Sequence, residues 1–172
     1  MDFSICKEFL EQLIRHEGSV REDGLHIAYR CPAGALTIGY GHNLDARPVD
    51  GLGEGSLISE EKARELLAAD IRDFQEKVFT TFPWLSSVDE ARCGVVVNMA
   101  FNMGLGTLKK FTSMLKAMQN GDWQNAAHYC IYRSDRVSLH PWVKQVKGRA
   151  WELAEQLRTG TWQKGYESWM KF

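Results

Sequence analysis

Apolar residues recur at helical spacing at the start of the chain. They are Phe3, Cys6, Leu10, Leu13 and Ile14. Steps of three and four residues place them on one face, so the pattern predicts an amphipathic helix that packs against a core. Gly18 follows and marks the predicted end of this helix.

Residues 27–44 alternate imperfectly between apolar and polar positions. The alternation is interrupted at Pro32, Gly34, Gly39 and Gly41. This combination predicts a small antiparallel sheet with tight turns. Residues 19–26, just before it, look like a surface loop in which Asp23 and Gly24 form a common turn pair.

Helices are predicted for the remainder. Ser59 is the expected N-cap of a long helix, about 30 Å at ~1.5 Å per residue, which the segment FPW at 82–84 ends. Ser87 and Glu90 form a capping box that opens a helix apolar nearly all round. Further helices are predicted at about 107–119, 122–133 and 142–157.

Together these elements predict an α+β fold in one two-lobed domain. Residues 13–58 form a small antiparallel β-containing lobe, residues 59–82 a linking helix, and residues 83–172 with 1–12 a larger helical lobe. Such a layout leaves a cleft between the lobes, and clefts are where substrates bind.

The composition is that of a soluble globular protein. With 172 residues and 44% hydrophobic content, the chain can bury one core. No run approaches the ~20 apolar residues that cross a bilayer, and charged residues interrupt any signal-peptide pattern in the first 15 positions. The four cysteines form no CxxC pair, so we expect free thiols in a reducing compartment.

The net charge is −1, but its distribution is uneven. Residues 1–83 carry 9 basic and 15 acidic residues, a charge of −6, whereas residues 84–172 carry 12 and 7, a charge of +5. This balance argues against a general nucleic-acid-binding protein. The basic half can attract a polyanion, although two solvated faces of opposite charge explain the same numbers.

Glu17 is the first candidate for chemistry. It lies three and four residues after Ile14 and Leu13, so it extends the apolar stripe of the first helix. A carboxyl group held partly out of water can donate a proton to a leaving group. By position alone, an ordinary solvated glutamate at a helix end is the simpler interpretation.

Histidines in the first lobe raise the question of a metal. The spacing of His16, His26 and His42 with Cys31 matches no compact ligand pattern, and the sequence contains no HExxH motif. We therefore predict no metal site. His42 is expected to pair with a carboxylate such as Asp70 on the linking helix, as a structural ion pair.

Five short motifs occur in one order along the chain: HEG, AYRCPAGALTIGYGH, NMAFNMG, GRA and RTGTW. In these motifs the chain resembles the T-even phage type of lysozyme, the endolysin muramidases, from the first helix to Trp162. Extra residues occur near 19–26 and 132–140. The resemblance implies a two-lobed fold, no cofactor, and cleavage of the β-1,4 bond between N-acetylmuramic acid and N-acetylglucosamine in peptidoglycan.

The resemblance also implies roles for individual residues. Glu17 matches the general acid, Thr37 a threonine that helps to hold the attacking water, and Arg149 an arginine that pairs with the catalytic glutamate across the cleft. Three residues match positions that line the sugar-binding cleft: Asn43, Phe101 and Asn102. Core packing for Phe101 and an exposed helix surface for the asparagines explain those positions equally well.

Cys31 stands six residues before Thr37, where many family members have an aspartate that deprotonates the attacking water. A thiolate can do the same, or it can attack the sugar as a nucleophile in a retaining route. The structural alternative is a small residue that fits the turn. Glu22, Asp23 and His26 are other candidate bases, but we favour Cys31 because its spacing to Thr37 follows the family pattern.

The sequence therefore predicts an endolysin-type muramidase that acts on peptidoglycan as a monomer, without metal or cofactor and without stable membrane insertion. Two alternatives stay open: a lytic transglycosylase, which needs only one carboxyl acid/base, and a cell-wall binding domain without turnover. A phage lysozyme of this kind waits in the cytoplasm of the producing cell until release, and then acts at the cell wall or periplasm.

Overall fold

The computed structural model describes residues 1–165. The chain divides into two compact units, one formed by Asp2–Asp73 and the other by Met1 with the residues from Phe74 onward. Within the described residues, the strands lie in the first unit and most of the helices in the second. This confirms the predicted α+β class.

The helices make up most of the regular structure. They are α1 (Lys7–Glu17), α2 (Glu60–Thr81), α3 (Glu90–Met103), α4 (Leu105–Leu108), α5 (Thr112–Gln119), α6 (Trp123–Ile131), α7 (Pro141–Val146) and α8 (Gly148–Thr159). A 3₁₀ helix covers Pro83–Ser87. The boundary between the two units falls inside α2, after Asp73, so this helix contributes to both.

The strands are short. They are β1 (Arg21–Glu22), β2 (Leu25–Ile27), β3 (Tyr29–Arg30), β4 (Leu36–Ile38), β5 (His42–Asn43) and β6 (Leu57–Ile58). They form two antiparallel three-stranded sheets, in the orders β1-β2-β6 and β3-β4-β5. The second is the predicted small sheet. The first shows that the prediction of a surface loop over 19–26 is wrong.

A hairpin of β1 and β2 replaces that loop. Asp23 and Gly24 connect its strands with φ of 50° and 80°. Positive φ at both positions is typical of the type I′ turn that joins antiparallel strands, so the predicted turn pair is confirmed. The third strand of the sheet, β6, comes from far downstream and pairs His26 with Ile58. Such a distant partner leaves no local signal in the sequence.

The predicted N-cap of α2 at Ser59 is confirmed, whereas the predicted capping of α3 by Ser87 is not observed. Ser59 Oγ accepts a hydrogen bond from the amide three residues on, at 3.1 Å, and caps α2. Helix α3 is capped by Asp89, whose carboxylate accepts from the amide three residues on at 3.0 Å. The predicted Ser87–Glu90 capping box is wrong, because the aspartate next to the helix is the better placed acceptor.

Two predicted helices are each divided. The helix predicted at 107–119 is α4 and α5, and the one predicted at 142–157 is α7 and α8. Helices α7 and α8 meet at Lys147, which has φ of 52°. A lysine in the left-handed region gives no sequence signal of a break, so the apolar period predicted one continuous helix.

Each unit has its own core of fully buried side chains. Those in Asp2–Asp73 include Phe3, Phe9, Leu13, Ile38, Leu67 and Ile71, and those after Phe74 include Leu85, Met99, Leu108, Met114, Met118 and Ile131. Burying one such side chain stabilises the fold by about 1.5–3 kcal/mol. Gly94 of α3 lies against the indole of Trp162, with which a Cβ would collide. Trp162 of the RTGTW motif therefore packs on α3 at this glycine.

Candidate active site

One face of the sheet β3-β4-β5 carries a row of polar side chains. Tyr29 on β3 lies opposite Thr37 on β4, and Thr37 lies opposite Asn43 on β5. Directly opposed residues of antiparallel strands point to the same face. The Cys31 amide still donates to the Ala35 carbonyl across the hairpin at 3.0 Å, so the strand pairing continues to Cys31. Residues two apart in a strand point to the same face, so Cys31 shares the face of Tyr29.

The turn after β3 supplies hydrogen-bond donors to the Cys31 thiol. The Gly34 amide, at a φ of 88°, closes the turn by donating to the Cys31 carbonyl at 2.7 Å. Desolvation raises the pKa of the partly exposed thiol. Hydrogen bonds from the amides of Ala33, Ala35 and Gly34 and from Thr37 outweigh it, so the pKa of Cys31 lies below its ordinary value. The turn thus favours the thiolate, which can accept a proton.

Thr37 is buried, with two acceptors close to its hydroxyl. Oγ1 donates to the Ala35 carbonyl at 3.2 Å, and its hydrogen bond to Cys31 helps to lower the pKa of the thiol. A hydroxyl has one proton and two lone pairs. Whichever neighbour takes the proton, Oγ1 can still accept a hydrogen bond from water, as a residue that holds the attacking water must.

Glu17 is the last residue of α1 and is half-buried. Tyr29 connects it with the sheet face: burial raises the pKa of the Tyr29 phenol, and the negative charges of Cys31 and Glu17 raise it further. A phenol that responds to both charges lies within electrostatic reach of both. Tyr29 was not among the residues predicted from the sequence, although its position two residues before Cys31 in an extended segment places both side chains on one face.

His26 belongs to a closed cluster around Glu60. It is fully buried, and its Nε2 lies 2.7 Å from Oε2 of Glu60. Tyr40, Arg21 and Arg64 also donate to the Glu60 carboxylate, at 2.7, 2.8 and 2.7 Å. Desolvation raises the pKa of Glu60, but the four hydrogen bonds lower it to about 2. A buried imidazole that faces this carboxylate is poorly placed to activate a water molecule.

The other two candidate bases are acidic residues of the β1–β2 hairpin. Glu22 and Asp23 are both exposed. Exposure leaves a carboxylate solvated by bulk water, so it is poorly placed to orient and deprotonate one particular water molecule. Of the four candidate bases, Cys31 is the one that lies beside Thr37 and has its charged form stabilised.

His42 pairs with Asp70, as predicted. Its Nδ1 lies 2.8 Å from Oδ2 of Asp70 and its Nε2 lies 2.9 Å from the carbonyl of Arg47, with both side chains buried. The hydrogen bond to Asp70 raises the pKa of His42 above its ordinary value. Because both ring nitrogens face acceptors, the cluster favours the imidazolium form. Within residues 1–165, no three His, Cys, Asp or Glu side chains converge as metal ligands.

Three predicted site residues lie in the second unit. Phe101 is half-buried, with its ring 5.5 Å from that of Phe74. Asn102 is exposed, and its Oδ1 accepts from Nε1 of Trp142 at 2.7 Å. Arg149 is buried, and its guanidinium donates twice to Asn98 Oδ1, at 3.1 and 2.8 Å. These contacts fix the side chains within their own unit.

The sequence is similar to those of known phage proteins. The profile of the phage lysozyme family matches residues 20–152. The chain therefore belongs to the phage lysozyme family. The match includes Cys31, Thr37 and Arg149, and it begins three residues after Glu17. None of the helices in the described part of the chain has the length and apolarity needed to span a membrane.

Three phage proteins are similar to the chain. The pre-baseplate central spike protein Gp5 of Enterobacteria phage T4 is 32% identical over 160 residues, which is 81% of this chain and 27% of Gp5. An endolysin of Bacillus phage B103 is 37% identical over 93 residues, 54% of this chain and 32% of the endolysin. An endolysin of Acyrthosiphon pisum secondary endosymbiont phage 1 is 32% identical over 110 residues, 62% of this chain and 68% of the endolysin. The chain thus spans about a third or less of the first two relatives.

Proposed function

We propose that the protein is an endolysin-type muramidase that hydrolyses the β-1,4 bond between N-acetylmuramic acid and N-acetylglucosamine. The observation that carries the proposal is the sheet face on which Cys31 lies beside Thr37. The Tyr29 phenol on this face is within electrostatic reach of both Cys31 and Glu17. Membership of the phage lysozyme family, and two relatives named as endolysins, support the substrate class.

Glu17 is the general acid of the proposed mechanism. Its carboxyl proton moves to the glycosidic oxygen as the bond from that oxygen to the anomeric carbon breaks, and the sugar ring takes on oxocarbenium character. General acid catalysis contributes roughly 10²- to 10⁴-fold to a rate. Its place at the last position of α1, half-buried, supports this role.

Cys31 is the base that activates water. As the anomeric carbon loses the leaving oxygen, the oxygen of a water molecule bonds to that carbon from the opposite face, and the Cys31 thiolate takes one of its protons. Thr37 accepts the other water proton in a hydrogen bond and orients the attacking lone pair. The product is a hydrolysed, inverted sugar, and the proton on Cys31 returns to Glu17 through solvent.

Four residues are proposed to bind the substrate: Asn43, Phe101, Asn102 and Arg149. Oδ1 of Asn43 accepts from the amides of Asp45 and Ala46, and Oδ1 of Asn102 accepts from the Trp142 indole. Each asparagine thereby presents its NH₂ group as the donor for a sugar hydroxyl or acetamido oxygen. We further propose that the protein acts as a monomer, at the cell wall, after release from the cytoplasm of the producing cell.

Digestion of purified peptidoglycan in heavy-oxygen water tests the reaction. A muramidase places one heavy oxygen at each new reducing end, whereas a lytic transglycosylase forms an anhydro sugar without the label. Mass spectrometry of the muropeptides is expected to show labelled reducing ends, and none with Glu17→Gln. Unlabelled anhydro products would establish the transglycosylase instead, and wall binding without new products would establish a binding domain.

A further inference from the structure

A small hollow of about 180 Å³ lies between α6 and α8 of the second unit. Ala127 of α6 and Ala154 of α8 line it and are buried, and three larger rings surround them, those of His128, Tyr132 and Trp151. Two small side chains where helices face each other leave a gap that larger ones would fill. The hollow has the volume of roughly six water molecules in the liquid, which is room for one small ring.

The aromatic rim of the hollow forms a corner. The ring of Tyr132 stacks on that of His128, with centroids 4.8 Å apart and planes 28° apart. The ring of Trp151 stands nearly perpendicular to Tyr132, at 6.3 Å and 80°. Trp151 is 38% exposed, so part of its indole is open to solvent. The face of an aromatic ring carries partial negative charge and attracts C–H groups, so this corner suits a ligand whose ring bears C–H groups on its faces.

The polar groups of the hollow suit an uncharged ligand. Nε2 of His128 is buried and has no hydrogen-bond partner in the described part of the chain. A ligand that forms a hydrogen bond with this atom removes the cost of burying it alone. Glu155 also lines the hollow, but Arg158 donates to both of its oxygens, from Nε at 2.7 Å. The hollow therefore offers aromatic and hydrogen-bonding groups with little net charge.

The hollow is separate from the residues proposed to bind the substrate for cleavage. Arg149 of α8 is buried and donates to Asn98 of α3 at 2.8 Å. Trp151 follows by two positions, which is ~200° around a helix of 3.6 residues per turn. It therefore lies on the opposite side of α8 from Arg149. A ligand that contacts Trp151 leaves the position beside Arg149 open.

We propose that this hollow is a second glycan-binding site, which holds one N-acetylhexosamine residue of the polysaccharide. The inference rests on the proposed function for the identity of that polymer. The sugar ring packs its C–H face on the indole of Trp151, and its acetamido methyl lies on the two alanines. The acetamido group forms a hydrogen bond with Nε2 of His128. A second attachment point keeps the protein on the polymer between cleavage events, because rebinding at one site is intramolecular while the other is occupied.

Titration of the full chain with N,N′-diacetylchitobiose, a neutral dimer of β-1,4-linked N-acetylglucosamine, tests the proposal by nuclear magnetic resonance. The backbone amide signals of Ala127 and Ala154 are expected to shift along one saturation curve. Trp151→Ala should weaken this binding roughly tenfold, and His128→Phe, which keeps a stacked ring without nitrogens, should weaken it a few-fold. Val137→Ala is the matched control, because Val137 is an exposed apolar residue outside the hollow, and it should bind like the wild type.

Two further probes check the chemistry of the ligand. Cellobiose, which lacks acetamido groups, and a blocked peptide of three alanines should both bind more weakly at the same amides. Equal or tighter binding of either probe would overturn the proposal, as would the absence of these shifts in the wild type or their full retention in Trp151→Ala.

The titration is independent of the heavy-oxygen experiment, because it requires no bond cleavage. Binding of the dimer at the proposed active site is observed separately, at the amides of Thr37 and Asn43. An inactive protein that binds the dimer at Ala127 and Ala154 would retain the second site, and an active muramidase without these shifts would lack it.

Discussion

The cluster around Glu60 and the cluster around Cys31 lie in the same unit but are paired in different ways. Glu60 receives hydrogen bonds from two arginines, a tyrosine and a buried histidine, so its charge is balanced by cations. The donors to Cys31 are backbone amides and one hydroxyl, all neutral, and its thiol is partly exposed. The first cluster is closed, and the second remains open to a reacting molecule.

The pairing of the Glu60 cluster stabilises the fold, whereas the pairing of Cys31 leaves its thiolate able to accept a proton. Glu60 is half-buried and its charge is balanced by cations, so its hydrogen bonds hold together the strands and the helix around it. A thiolate stabilised by neutral donors keeps its capacity to accept a proton, because no cation competes for its charge. The His42–Asp70 pair belongs with the closed type. This comparison explains why the candidate base is Cys31 and not His26.

The largest effect is expected when Glu17, the proposed general acid, loses its proton. Glu17→Gln keeps the shape of the side chain and removes the titratable proton, so clearing of purified cell walls should fall by at least ~10²-fold. Glu22→Gln, an exposed neighbour on the β1–β2 hairpin, is the control and should clear walls at the wild-type rate. Retention of more than about a tenth of the activity by Glu17→Gln would remove it from the mechanism.

A substitution in the closed cluster of His42 and Asp70 should lower the stability of the fold. Asp70→Asn leaves the His42 imidazolium and the Arg47 guanidinium, which lies 2.8 Å from Asp70, without their carboxylate. We expect the free energy of unfolding in denaturant to fall by about 3 kcal/mol. Asp73→Asn, whose more exposed side chain is 3.7 Å from Arg47, should cost less than ~1 kcal/mol. A similar cost for both variants would show that burial does not distinguish these pairs.

The same cluster predicts a pH dependence of stability. The pKa of His42 is raised in the folded state, mainly by its hydrogen bond to Asp70. The stabilisation is therefore fully present below the unfolded pKa of about 6.5, and it is lost as the pH rises through the folded pKa. Denaturant unfolding across this range should show wild-type stability declining as the pH rises. The decline should be flatter in His42→Asn, and parallel curves would contradict the prediction.

The smallest effects are expected for two tyrosines, one in each cluster, that each lose a hydroxyl group. Tyr40→Phe removes a donor to the Glu60 carboxylate and should cost about 1 kcal/mol of stability, with wall clearing unchanged. Tyr29→Phe removes a phenol from the open face and should slow clearing several-fold, with little change in stability. Circular dichroism melting and clearing rates of both variants provide the check. If both lose only stability, the phenol of Tyr29 has no part in the site.

Local signals in the sequence predicted much of the fold. The ends of α1 and α2, the cap at Ser59 and the turn at Asp23–Gly24 each depend on residues close together in the chain. The sheet β1-β2-β6 could not be predicted, because β6 is distant in sequence. The break at Lys147 could not be predicted either, since a lysine with positive φ is stabilised by its surroundings and not by its own preference.

Some features of the candidate site could likewise be predicted from the sequence, and others could not. Cys31 and Thr37 were predicted from the resemblance to phage lysozymes, and their roles remain predictions. The pairing of His42 with Asp70 on the linking helix was also predicted, and the structure confirms it. Burial of His26 depends on its contact with Glu60, 34 positions away, so its exclusion as a base needed the structure.

The central claim is that Cys31 activates water, and the most direct test compares the wall-clearing rates of three variants at matched folded concentration. If Cys31 is the base, Cys31→Ala should lose most activity, Cys31→Ser should stay poor because a hydroxyl is a very weak base, and Cys31→Asp should restore much of the rate. If Cys31 only fills the turn, Ala and Ser should be tolerated, and Asp should be harmful because an unpaired carboxylate is costly to bury. Wild-type clearing by Cys31→Ala and Cys31→Ser would contradict the mechanism.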